Sequence, residues 1–133
     1  MSEKPRILLV DDELSMIKIV ERRLGVEGFA VVTAMDGHEA LTKAQTEHPD
    51  LIILDLKLPL INGDEVCRRL KQDPECYKIP VILFTAKAQE TEEQMARGCG
   101  AQAYVRKPFH VQELLEQVRT LLAAAAPHKE ASG

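Results

Sequence analysis

The chain has 133 residues and a mass of 14.8 kDa, the size of one compact domain, and its 45% apolar and 29% charged residues exclude a disordered chain, a collagen-like repeat and a disulfide miniprotein. Lys plus Arg at 17 against Asp plus Glu at 21 leave a formal charge of −4, which argues against direct nucleic acid binding by a basic surface, since that mode draws its affinity from neutralised phosphates. No apolar run approaches the roughly 20 residues needed to span a bilayer, and MSEKPRILLVDDE turns acidic where a signal peptide would stay apolar, so no membrane insertion is expected and the compartment expected is the cytoplasm.

The first apolar run, Ile7 to Val10, is strand-length and ends in Asp11-Asp12-Glu13. Helical spacing follows at Leu14, Ile17, Val20 and Leu24. A second run, Ala30 to Thr33, ends without a clear functional group, and behind it Asp36-Gly37-His38-Glu39 sets a capping residue three before an acid, a helix start for Ala40, Leu41 and Ala44. The third run, Leu51 to Leu54, leads into Asp55, with Val66 and Leu70 marking the helix beyond it; the fourth, Val81 to Phe84, leads into Thr85. Between Gln89 and Arg97 only Met95 and Ala96 offer apolar anchors among Glu90, Glu92, Glu93 and Arg97, so this is expected to be the most loosely held helix. Pro80, Gly98 and Gly100 read as punctuation at helix ends. The fifth run, Ala103 to Val105, leads into Arg106-Lys107-Pro108, and Val111, Leu114, Leu115, Val118, Leu121 and Leu122 form the clearest amphipathic stripe. Four alanines, Pro127 and a polar tail follow, which places the domain at 1–122 and a tail or linker stub at 123–133.

Five continuous Ile-, Val- and Leu-rich runs alternating with helical segments predict an α/β domain, a parallel sheet covered by helices on both faces. In such a sheet the residues after each strand emerge at the carboxyl edge, where open α/β folds bind ligands. If the second strand lies at the outside, Asp11, Asp12, Asp55, Thr85 and Lys107 converge there. Three carboxylates so close repel one another unless protons or a cation intervene, and an oxygen-only donor set without nearby His or Cys favours Mg²⁺ over zinc. A carboxylate nucleophile, a metal, an ammonium and a hydroxyl together suit phosphoryl transfer. Singly, each group has a plainer reading: Asp11-Asp12 or Thr85 as a helix cap, Asp55 as a strand-end turn residue, Lys107-Pro108 as an exposed lysine before a turn proline, Tyr104 as a packed strand aromatic. Cys67, Cys76 and Cys99, odd in number and without CxxC spacing, read as thiols of a reducing compartment. The four scattered histidines read as surface or loop residues.

The blocks ILLVDDE (Ile7 to Glu13), LIILDLKLP (Leu51 to Pro59) with Gly63 after it, ILFTA (Ile82 to Ala86) and AYVRKPF (Ala103 to Phe109) closely resemble the receiver domain of two-component response regulators, of the chemotaxis-regulator type, from about Arg6 to Leu122. The resemblance implies a flavodoxin-like doubly wound sheet of five parallel strands in the order 2-1-3-4-5 with five helices. It implies Asp55 as phosphoacceptor, Asp12 as direct Mg²⁺ ligand, Asp11 as ligand through water, and the Lys57 carbonyl as a further ligand. Lys107 would pair with phosphoryl oxygens, Thr85 and Tyr104 would form a switch pair, and Lys107-Pro108 would be a cis peptide. Two positions depart from the family pattern: Lys57 and Lys87 put positive charge beside the site and are candidates for tuning the lifetime of the acyl phosphate. The partners implied are a histidine kinase or phosphotransfer protein and a downstream output protein or domain, with homodimer formation on phosphorylation among the outcomes. The chain would thus be a switch, not an enzyme in the ordinary sense. A phosphatase of the haloacid dehalogenase type would carry a second Asp where Lys57 stands, a flavin carrier would need a hydroxyl-rich loop after the first strand, and an unphosphorylated adaptor would not need the full set of site residues.

Overall fold

The computed structural model describes residues 4–85, 98–107 and 110–125. Strands β1 (Arg6–Val10), β2 (Ala30–Ala34), β3 (Leu51–Asp55), β4 (Val81–Thr85) and β5 (Ala103–Arg106) form one parallel sheet in the order β2-β1-β3-β4-β5. This is the flavodoxin-like order 2-1-3-4-5 that the sequence blocks imply. Helices α1 (Leu14–Val26), α2 (Gly37–Glu47) and α3 (Gly63–Gln72) follow the first three strands, and α4 (Val111–Ala125) follows β5. The expected helix at Gln89 to Arg97, which would make five, lies outside the described residues, as do Lys87 and Pro108.

The continuous apolar runs have their explanation in two cores. Side chains alternate across a strand, so Leu8, Val10, Ile52, Leu54, Val81 and Leu83 face one side and Ile7, Leu9, Leu51, Ile53, Ile82 and Phe84 the other. The first set packs against Ala40 and Ala44 of α2 and Val66, Cys67 and Leu70 of α3. The second packs against Ile17, Val20 and Leu24 of α1 and Leu114, Leu115 and Val118 of α4. Every side chain of β3 and β4 is buried, as strands covered on both faces require. Leu121 and Leu122 still touch the core, whereas the alanines that continue α4 to Ala125 are exposed.

Two details differ from the sequence pattern. Leu14, the first member of the α1 stripe, is 51% exposed, because the helix begins at that residue, at the sheet edge, before its inner face reaches the core. Pro80 does not close a helix. The α3 helix stops at Gln72 with Asp73 as its C-cap, and Pro80 instead leads into β4, its carbonyl accepting from the Ile52 amide at 3.0 Å. The α2 start is as the Asp36-to-Glu39 spacing predicts: Asp36 accepts from the Glu39 amide at 2.7 Å, and Glu39 reaches back to accept from the Met35 amide at 2.9 Å.

Candidate functional site

Because all five strands run the same way, the carboxyl ends of β1, β3, β4 and β5 open on one edge, and β2 stands outside them. Asp11 and Asp12 follow β1, Asp55 closes β3, Thr85 closes β4, and Lys107 follows β5. The sheet brings together the groups that the sequence places after separate strands. One carboxylate oxygen each from Asp11, Asp12 and Asp55 lie within 4.8 Å of one another. Asp11, Asp55 and Thr85 are buried, and Asp12 is exposed at the mouth.

Lys107 ties this cluster together. Its Nζ donates to Asp11 Oδ2 at 2.9 Å and to Asp55 Oδ2 at 3.4 Å, and it stands 5.4 Å from the centre of the Phe84 ring, a cation–π contact. The Lys107 amide donates to the Thr85 carbonyl at 2.8 Å, so β5 delivers the ammonium by pairing with β4. Burial alone would lower the Lys107 pKa, but the hydrogen bond to Asp11 and the charge of Asp55 outweigh it and raise it. Burial pushes the Asp55 carboxyl up to about 6; Lys107 opposes that push, the Asp11 charge adds to it, and the Lys57 backbone N–H, which donates to the carboxylate, moderates it. One ammonium thus fails to neutralise the cluster.

Local backbone geometry sets the distances. Gly63 opens α3 so close to β3 that a Cβ there would lie 2.1 Å from the Asp55 carbonyl oxygen, and its amide donates to the Leu56 carbonyl at 2.7 Å. In the loop between them the Ile61 amide donates to the Pro59 carbonyl at 2.8 Å across Leu60, whose φ of 71° is left-handed. This is a strained three-residue γ-turn with a non-glycine residue at its centre. Asp11 Oδ1 also accepts from the Glu13 amide at 3.0 Å, a local turn contact and not a helix cap, since the N-cap of α1 is Glu13 and no side chain caps that helix. Lys57 is exposed beside Asp55, and Tyr104 on the edge strand β5 is 40% exposed. The roles of Phe84 beneath the ammonium and of the Lys57 amide carry no signal in the sequence beyond their neighbours, since one is an apolar strand residue and the other a backbone group.

A parallel sheet in this order with an acidic, lysine-bearing carboxyl edge defines a receiver fold, and the family model "Response regulator receiver domain" matches residues 7–119. The chain belongs to the receiver domain family of response regulators. In sequence it is similar to the phosphate regulon transcriptional regulatory protein PhoB of Rhizobium meliloti, 42% identical over 123 residues that cover 92% of this chain and 54% of that protein. In structure it is similar to the chemotaxis response regulator CheY4 of Vibrio cholerae, with a TM-score of 0.83 and 30% identity over 90% of this chain and 99% of that one. It is also similar to the receiver domain of a sensor histidine kinase from Pseudomonas aeruginosa PAO1, solved with a magnesium ion coordinated in its active-site cleft: TM-score 0.86, 26% identity, 91% and 99% covered. The chain spans about half the length of the curated relatives it matches. No helix among the described residues is long and apolar enough to cross a membrane.

Proposed function

We propose that Asp55 accepts a phosphoryl group from the phosphohistidine of a histidine kinase or phosphotransfer protein, and that the acyl phosphate switches the surface built from the Gln89 to Arg97 segment, β5 and the last helix. The observation that carries this is the convergence of Asp11, Asp12, Asp55 and Lys107, from three strand ends, on one small volume. The donor set fits a hard divalent cation: three carboxylates face one ammonium, all donors are oxygens, and negative charge is left over. Asp12 would hold Mg²⁺ directly, Asp11 through water, with Asp55 and the Lys57 carbonyl completing the protein's share. When bound, the metal neutralises phosphoryl oxygens and the carboxylates that crowd them.

An Asp55 oxygen attacks phosphorus, the N–P bond of the donor breaks, and its electron pair stays on the imidazole, which leaves an aspartyl phosphate. Lys107 exchanges its contact with Asp55 for the phosphoryl oxygens while keeping Asp11. The Thr85 hydroxyl moves to donate to the same oxygens, and Tyr104 turns inward behind it. Lys57 flanks the line of approach that a hydrolytic water must take, and Lys87, outside the described residues, is the second residue proposed to tune the lifetime of the acyl phosphate. The receiver unit is taken as 1–122, with 123–133 as tail or linker stub. A cytoplasmic setting, a downstream output protein or domain such as a transcription-regulating partner, and dimer formation on phosphorylation complete the reading.

Acetyl phosphate with Mg²⁺ is expected to add one phosphoryl group, about 80 Da by intact mass. Asp55→Asn should gain none, Asp12→Ala should demand far more Mg²⁺, and EDTA should block the reaction. Equal labelling of Asp55→Asn, or sustained release of phosphate from simple esters, overturns the assignment.

A further inference from the structure

The three cysteines are buried and reduced, but they differ in what they face. Cys67, in the middle of α3, meets Cys99, which lies shortly before β5: Cys67 Sγ donates to the Cys99 carbonyl at 3.5 Å, and the two thiols are near neighbours. Cys76 faces the Ala44 carbonyl instead, at 3.9 Å.

The buried pair has charged neighbours of both signs, Arg68 being ion-paired to Asp64 at 3.6 Å and to Glu65 at 2.8 Å. Arg68 and Lys71 of α3 lie near it, and Lys71 holds its place by donating to the Tyr77 and Ile79 carbonyls at 3.2 and 2.8 Å. Gly98 and Gly100, on either side of Cys99, are exposed. Gly100 adopts φ +93° and passes so close to Lys71 that a Cβ there would lie 3.2 Å from its stem. The Cys99 thiol is pulled down by its Cys67 neighbour, by the Ala101 amide and by the charge of Arg68, against the opposing effects of burial and of the Asp64 charge. The Cys99 neighbour and burial push Cys67 up. The geometry pairs the two cysteines across α3 and the lead into β5, and the lowered Cys99 thiol is the one suited to react first.

We propose that Cys67 and Cys99 form a redox modification site, in which an oxidant of the peroxide class converts the pair to an intramolecular disulfide that ties α3 to the lead into β5. The Cys99 thiolate attacks one peroxide oxygen and the O–O bond breaks, giving a sulfenic acid and hydroxide, which takes up the proton Cys99 had released and leaves as water. The Cys67 sulfur then attacks the Cys99 sulfur, the S–O bond breaks, and the departing hydroxide leaves as water with the Cys67 proton. The peroxide is reduced by two electrons and the thiol pair is oxidised by two. The bond fastens the chain between β4 and β5 at the end that adjoins β5, the strand that carries Tyr104. This inference does not rest on phosphorylation of Asp55.

The test uses the full chain in millimolar hydrogen peroxide at neutral pH. A loss of about 2 Da by intact mass, reversed by dithiothreitol, is expected, with peptide mapping to Cys67–Cys99 and unchanged behaviour in Cys76→Ser. In Cys67→Ser the reaction should halt at a sulfenic acid on Cys99 that dimedone captures, with several-fold less capture on Cys67 in Cys99→Ser. The linkage should form faster in native protein than in urea. A bond to Cys76, a linkage between chains, formation only in urea, or oxygen addition without the 2 Da loss would each overturn the proposal.

Discussion

Asp55 is held ionised against its surroundings: burial and the Asp11 charge raise its carboxyl to about 6, with only Lys107 and an amide in opposition. A carboxyl raised in this way contributes stability that is complete below its unfolded value of 3.8 and lost as pH climbs through about 6. Asp55→Asn is therefore expected to stabilise the metal-free protein by about 1–3 kcal/mol at pH 7.5 and by no more than about 0.5 kcal/mol at pH 4, the upper figure at pH 7.5 being the full shift and the lower allowing for the contact Lys107 loses. Urea unfolding in EDTA at the two pH values measures this, and destabilisation at pH 7.5 would count against the raised carboxyl. For Lys57, replacement by Asn or Ala should speed the loss of the aspartyl phosphate about threefold, some 0.7 kcal/mol of barrier; slower or unchanged decay in both variants would remove its shielding role. Asp11, Asp12, Asp55 and Lys107 were legible in the sequence because each is a charged residue directly after an apolar run. The Lys57 amide and the left-handed Leu60 were not, since a backbone donor leaves no mark in the sequence, and Pro59 and Asn62-Gly63 announce a turn without placing its left-handed residue at a leucine.

At the scale of elements, the start of α2 was easier to read than its end. The α2 start is written in side chains, Asp36 and Glu39 each accepting from a backbone amide, whereas its end depends on His48 adopting a left-handed φ of 49° with no glycine to mark it. Asp36→Ala is expected to cost about 1 kcal/mol, within the usual 0.5–2 for a lost N-cap, read as a lowered urea midpoint with an unchanged slope. No measurable loss would mean that the loop contacts of Gly37, whose amide donates to the Pro59 carbonyl at 3.2 Å, hold the helix start by themselves. Pro80 misleads as a helix stop because a proline is equally at home before a strand, and only the seven-residue turn region from Asp73 to Ile79 separates the two readings.

Across the whole molecule, apolar runs and helical stripes disclose the layers, but not which strand neighbours which: periodicity is the same for any order, and the order 2-1-3-4-5 was available only through the resemblance of four sequence blocks. Mg²⁺ at about ten times its dissociation constant should add about 1.4 kcal/mol to unfolding, seen as a rise in thermal midpoint that Asp12→Ala abolishes. The sheet also divides the interior. Two clusters of buried apolar side chains flank the sheet, one beneath α2 and α3 and one beneath α1 and α4, with no residue in both. Val66→Ala on one side and Val118→Ala on the other, each costing about 1–3 kcal/mol, should add to within about 0.5 kcal/mol in the double variant; a larger coupling in a thermodynamic cycle would show that the strands transmit repacking. With additivity, inherited variation can accumulate in either half of the interior with no matching change in the other, and two lineages could exchange one helical layer while keeping the five strands that carry the acidic edge.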